Sequence, residues 1–137
     1  MDWITDDIAI GTYREAQDPS LLRQYGFCSA LSLDGTLQPD DAAALGLAAV
    51  VSILLEDGPG NNSRRFRHVV DSLGRLLVTH PPVLVHCHAG RSRSAIVVAG
   101  LLMLEEDLSP AQAIARVGAK RNICITPGLE LLLQALR

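Results

Sequence analysis

Val83-Leu84-Val85-His86-Cys87-His88-Ala89-Gly90-Arg91-Ser92-Arg93-Ser94 is the stretch that decides how this chain folds. Its opening five residues form a short continuous run, dominated by Val and Leu, that reads as a buried strand. A polar turn containing Gly90 follows, and from about Ser94 to Leu104 the chain is again strongly apolar, now over a helical length. A strand that passes through a loop into a helix is therefore the central feature.

Working outward, Ile8-Ala9-Ile10 reads as a short strand ended by Gly11. Cys28 to Leu33 and Ala48 to Leu55 are β-rich apolar runs, each closely followed by Asp-Gly, and both are expected to be buried strands. Asp18 is placed to cap a helix with Pro19 in its first turn, and Pro39 to Leu45 suits another. Phe66, Val69, Val70, Leu73, Leu76 and Leu77 recur at helical spacing, opposite Arg64, Arg65, Arg67 and Asp71, so an amphipathic helix should end before Pro81-Pro82. Ser109-Pro110 opens a further helix through Val117, and Pro127 is expected to open the last one, ending near Leu136. Alternating strands and helices predict one α/β domain over residues 1–137, a three-layer sandwich. Its central, largely parallel sheet has about four to five strands, with helices on both faces.

The chain has 137 residues, 48 % of them apolar, enough for a real core without disulfides or structural metal. A net charge of -3 gives no general attraction to nucleic acid or anionic membranes, so any anion must be held locally. Three scattered cysteines make no disulfide framework, and with no secretory signal they imply free thiols in a reducing cytoplasm. The apolar run Ala95 to Leu104 is about half of the roughly 20 residues needed to span a bilayer, so no stable membrane insertion is expected. The chain is expected to act as a monomer.

In the loop, Cys87 and Arg93 bracket five residues between a strand end and a helix start. Successive backbone N–H groups of such a loop converge on one point, and the following helix adds its positive end. Gly90 supplies the permissive backbone that the curvature needs. A phosphoester dianion seated there would meet the N–H groups of His88, Ala89, Gly90, Arg91 and Ser92 together with the forked guanidinium of Arg93. The same electropositive surroundings favour Cys87 as a thiolate nucleophile, with His86 helping to position the loop. A metal site is disfavoured: in an extended strand His86 and His88 share a face while Cys87 points away, and no second ligand pair has zinc-like spacing.

The string from His86 to Ser94 resembles the active-site P-loop signature of the protein tyrosine phosphatases, and its Ser-Arg-Ser ending resembles their dual-specificity branch. Weaker similarities extend over nearly the whole chain: Ile10-Gly11 with Ala16 and Asp18 at the start, Ala99 to Met103 after the loop, then Ala113, Arg116, Lys120, Arg121 and Pro127. The resemblance implies a protein phosphatase that works without cofactor through a phosphocysteine at Cys87. It also implies an aspartate general acid some thirty residues earlier on a mobile loop. Asp57 matches that place, before Gly58-Pro59-Gly60, although Asp-Gly alone reads as a turn and Glu56 is a close competitor. By the same analogy Ser94 would hydrogen-bond the cysteine sulfur, or else simply cap the helix.

With no inserted loop of the kind that deepens the site of the classical tyrosine phosphatases, the resemblance implies a shallow site for phosphotyrosine and phosphoserine or phosphothreonine proteins, or a small phosphoester. Arg91 and His88 add positive charge to the loop, where the dual-specificity branch more often has an uncharged residue at the Arg91 position; this leaves open a preference for phosphoinositides or other polyanions, the alternative being that Arg91 points into solvent. A rhodanese-like sulfur transferase, an arsenate reductase and a phosphate-binding pseudoenzyme are the competing classes. Cys28 and Cys124 carry no motif for redox work and are expected to be packing residues.

Overall fold

The computed structural model describes residues 1–136. Its elements are β1 (Asp2–Trp3), β2 (Ile8–Gly11), α1 (Tyr13–Ala16), α2 (Pro19–Gln24), β3 (Ser29–Ser32), a 3-10 turn (Pro39–Asp41) leading into α3 (Ala42–Leu45), β4 (Ala49–Ser52), α4 (Ser63–Thr79), β5 (Val83–His86), α5 (Arg93–Glu106), α6 (Pro110–Gly118) and α7 (Glu130–Gln134). The five strands form one sheet in the order β1-β2-β5-β3-β4. Four are parallel; β1 alone runs antiparallel, pairing Asp2 with Ile10 and Trp3 with Ala9.

Period-two alternation along these strands sorts the side chains into two cores. Ile8, Ile10, Leu31, Val83 and Val85 join the larger one with α4, α5, α6 and α7, whereas Ala9, Ala30, Val50 and Leu84 join the smaller one with α1, α2 and α3. This is the expected three-layer sandwich. Residues 94 to 103 of α5 are all buried, which explains why its sequence is apolar on every side. Each large side chain buried there contributes about 1.5–3 kcal/mol. By contrast α4 buries one stripe, Phe66, Val69, Val70, Leu73 and Leu76, and is started by the Asn62 side chain, which accepts from the N–H groups of Arg64 and Arg65.

Register determines where a site can form. Gly11, Ser32, Ser52 and His86 are paired across the sheet, so the carboxyl ends of the four parallel strands lie level. The helices that follow β2 pack on the smaller core and the helix that follows the adjacent β5 packs on the larger one. Chains leaving neighbouring strands towards opposite faces open a crevice at that edge. The segment after His86 enters it.

Several boundaries differ from the sequence expectation. The strand read as Ala48 to Leu55 ends at Ser52, because the chain turns outward and leaves Leu54 51 % exposed, although the N–H groups of Ile53 and Leu55 still bond to Ser32 and Leu33. The last helix starts at Glu130 rather than at Pro127, since Thr126 is tied to two other loops and the chain must complete a turn before it can coil. Cys124 is exposed rather than packed: in its extended segment the half-buried Ile123 and Ile125 lean on the core and the residue between them points away. Among the described residues, no helix is long and apolar enough to cross a membrane.

Candidate active site

Cys87 follows β5 directly and is only 2 % exposed. From there to the start of α5 the loop is held by its carbonyl groups. His88 O accepts from the Tyr13 N–H at 3.0 Å and Arg91 O from the Cys124 N–H at 2.9 Å. Between them, Arg121 donates to Ala89 O at 3.1 Å and Gly90 O at 2.6 Å. In a trans peptide the N–H points opposite to the C=O of the same plane. Four consecutive carbonyls pulled outward therefore turn the N–H groups of Ala89, Gly90, Arg91 and Ser92 inward, which makes a nest for an anion. Gly90 has φ +66°, and a Cβ there would stand 2.5 Å from Gly11 O and 2.8 Å from a guanidinium nitrogen of Arg121. Only glycine suits this position.

Below the loop, His86 is fully buried and its two ring nitrogens are both engaged. Nδ1 lies 3.1 Å from the Cys87 carbonyl, which can only accept, so Nδ1 carries the proton. Nε2 then accepts from the Ser32 hydroxyl at 2.7 Å, while Ser32 Oγ accepts from the Leu37 N–H. Burial lowers the His86 pKa from its ordinary value, and the nearby Arg93 charge acts in the same direction. The ring is thus a neutral strut under Cys87. Burial would raise the Asp34 carboxyl, but hydrogen bonds from Thr36 and the Arg93 charge outweigh it and hold Asp34 below the usual range.

At the helix end of the loop Arg93 donates to Leu55 O at 3.2 Å, two residues before Asp57. Its Nε and the Ser94 hydroxyl are the two buried side-chain polar atoms without a hydrogen-bond partner among the described residues. Buried polar groups are almost always paired, and exceptions concentrate where a ligand or a reaction uses them. Ser94 makes no bond to the cysteine sulfur here. Nor is it the helix cap, because it lies inside the first turn of α5 and Ser92 occupies the cap position. Ser92 uses its hydroxyl elsewhere, donating to Thr126 Oγ1 at 3.0 Å, and Thr126 in turn donates to Asp57 Oδ1 at 2.7 Å. Asp57 is thereby joined to the loop of Cys87. Glu56 instead uses its backbone to pair with Asn61.

The His88 and Arg91 side chains are exposed. His88 stacks on Tyr13, with ring centroids 4.5 Å apart, whereas the Arg91 guanidinium makes no hydrogen bond or ion pair among the described residues. In the sequence Arg121 is only one of the weaker similarities; the structure makes it the clamp of the loop, anchored also on Asp2 at 2.9 Å. Ser32, Tyr13 and Thr126 carried no signal, since each meets the loop across a long stretch of chain.

The Dual specificity phosphatase, catalytic domain, family model matches residues 8–136. Mouse Dual specificity protein phosphatase 22 is 28 % identical over 130 residues, covering 94 % of this chain and 68 % of that protein. Dual specificity protein phosphatase 1 of Arabidopsis thaliana is 28 % identical over 120 residues, covering 88 % and 60 %. The matched stretches span from 31 % to 68 % of the lengths of the curated relatives. Among solved structures, that of human DUSP28 superposes with a TM-score of 0.82 at 22 % identity, over 99 % of this chain and 94 % of that one, which shows the shared fold. A loop of this geometry at the carboxyl edge of this sheet, within a match that takes in nearly every residue, means that the chain belongs to the dual specificity phosphatase catalytic-domain family.

Proposed function

We propose that residues 1–137 act as one catalytic domain that hydrolyses phosphomonoesters through a phosphocysteine intermediate. The observation that carries this reading is the nest over Cys87: four inward N–H groups, with the unpartnered Arg93 Nε and Ser94 Oγ at its helix end. In the first step the Cys87 thiolate attacks phosphorus, the S–P bond forms and the P–O ester bond breaks. The leaving oxygen takes the electron pair and a proton from Asp57. In the second step Asp57 accepts a proton from water, whose oxygen attacks phosphorus and releases the thiolate. Ser94 donates a hydrogen bond to the departing sulfur. Throughout, Arg93 and the N–H groups of residues 89 to 92 stabilise the charge on the equatorial oxygens.

The substrates are proteins bearing phosphotyrosine, phosphoserine or phosphothreonine, and the domain acts as a monomer in the cytoplasm without a cofactor. A second reading, polyanionic substrates such as phosphoinositides, is favoured by the exposed, unpartnered Arg91 beside the exposed His88. Arg91→Ala should then lower the turnover of an inositol polyphosphate relative to a phosphotyrosine peptide, and an unchanged ratio removes that reading. The proton-donor role is tested by Asp57→Asn. It should slow alkyl phosphates by about 100-fold or more and activated aryl phosphates far less. Equal slowing of both moves the acid elsewhere.

A further inference from the structure

Asp57 is exposed and sits beside glycines, yet its carboxylate is held by a residue from near the end of the chain. Thr126 makes three hydrogen bonds to these two loops. Its hydroxyl donates to Asp57 Oδ1 at 2.7 Å and accepts from the Ser92 hydroxyl at 3.0 Å, while its N–H donates to Ser92 Oγ at 2.8 Å. The flanking backbone follows the same two loops. The Cys124 N–H holds Arg91 O, a Cβ on Gly58 would stand 3.9 Å from Thr126 Cγ2, and one on Gly128 would stand 3.4 Å from Pro59. Residues 124 to 128 therefore lie against the phosphate loop on one side and the Asp57 loop on the other.

We infer that Thr126 is the positioning residue for the proton donor, setting Asp57 in register with the bound phosphoryl group through Ser92. This rests on the assignment of Asp57 as general acid. An aspartate on an exposed loop samples several rotamers, and proton transfer needs its oxygen within hydrogen-bond reach of the leaving group. Thr126 restricts that sampling. It is β-branched, its backbone is fixed by Ser92, and Pro127 after it confines it to extended geometry. Its hydrogen bond occupies Oδ1 and leaves Oδ2 as the oxygen that carries the proton. Because Ser92 belongs to the loop that grips the phosphate, any displacement of that loop is passed to the acid.

The test is a leaving-group series on the full chain for wild type, Thr126→Val, Thr126→Ser, Asp57→Asn and the Asp57→Asn/Thr126→Val double variant. Valine keeps the shape and removes the hydroxyl. Thr126→Val should lose about tenfold in kcat on an alkyl phosphate and less than about twofold on para-nitrophenyl phosphate, with KM unchanged. Retained aryl turnover also shows that the variant is folded. Thr126→Ser should restore the alkyl rate to within about threefold of wild type. In the double variant the Thr126→Val loss should vanish, since it acts through Asp57. Equal loss on both substrates, an additive double variant, or no rescue by serine overturns the inference. A flat leaving-group response in Asp57→Asn itself would instead remove the acid assignment beneath it.

Discussion

Gly90→Ala tests whether the loop must curve as it does. The methyl group meets two obstacles. Alanine at φ +66° costs about 1–2 kcal/mol from the left-handed conformation alone. The new Cβ would also stand 2.5 Å from Gly11 O, where ordinary contact begins near 3.4 Å. Gly11 is paired with His86 in the sheet, so it is the loop that must move, by about 1 Å. That movement strains or breaks the 2.6 Å bond from Arg121 to Gly90 O, a charged hydrogen bond worth about 1.5–3 kcal/mol. The combined loss is about 2.5–5 kcal/mol, equivalent to roughly 9–17 °C in Tm for a chain of this length. The inward N–H groups shift with the loop, so affinity for tungstate or phosphate should fall by about 100-fold. Thermal denaturation and oxyanion titration read the two effects separately. A Tm within about 2 °C of wild type and affinity within about twofold would refute the argument that this loop needs glycine.

Arg121→Met keeps much of the side-chain volume and removes the clamp on Ala89 O and Gly90 O; it should cost about 2–4 kcal/mol in urea unfolding and weaken oxyanion binding, while Arg121→Lys recovers only part of either. Arg93→Lys keeps the charge but not the fork, and kcat should fall by about 100-fold or more with the Tm little changed. His86 gives a pH dependence of stability. Its folded-state pKa lies below the ordinary value of about 6.5, so its contribution is complete above that pH and is lost as pH falls through the depressed value. Wild type should therefore lose stability as pH falls below about 6.5, by at most about 1.4 kcal/mol per pH unit, and His86→Gln should lack that slope. Equal slopes would show that His86 is not buried as the neutral ring.

The strand, loop and helix around Cys87 were legible because one contiguous stretch carries all their signals: Val83 to Val85, Gly90, and the apolar Ala95 to Leu104. Burial of α5 on every side was likewise written in its composition. Asp57 is a different case, since an Asp-Gly pair is ambiguous on its own and only the likeness to a family singled it out. Arg121 and Thr126 were hidden for a physical reason. Their partners lie 31 and 69 positions away along the chain, at Gly90 and Asp57, and no local periodicity encodes such a contact. The short β1 was missed because two residues give no period. What keeps it in the sheet is the pairing of Asp2 and Trp3, the stacking of Trp3 on Phe27 and the ion pair from Asp2 to Arg121. Pro127 misled because proline marks the first turn of a helix and also a turn that precedes one.

The most direct measurement is hydrolysis of para-nitrophenyl phosphate at mildly acidic to neutral pH, with a metal chelator present, by wild type and Cys87→Ser. Turnover by wild type and none by the variant, with the variant still folded and still binding phosphate in the loop, is the predicted result. Activity that survives Cys87→Ser, or that the chelator abolishes, would contradict the claim that Cys87 is the nucleophile.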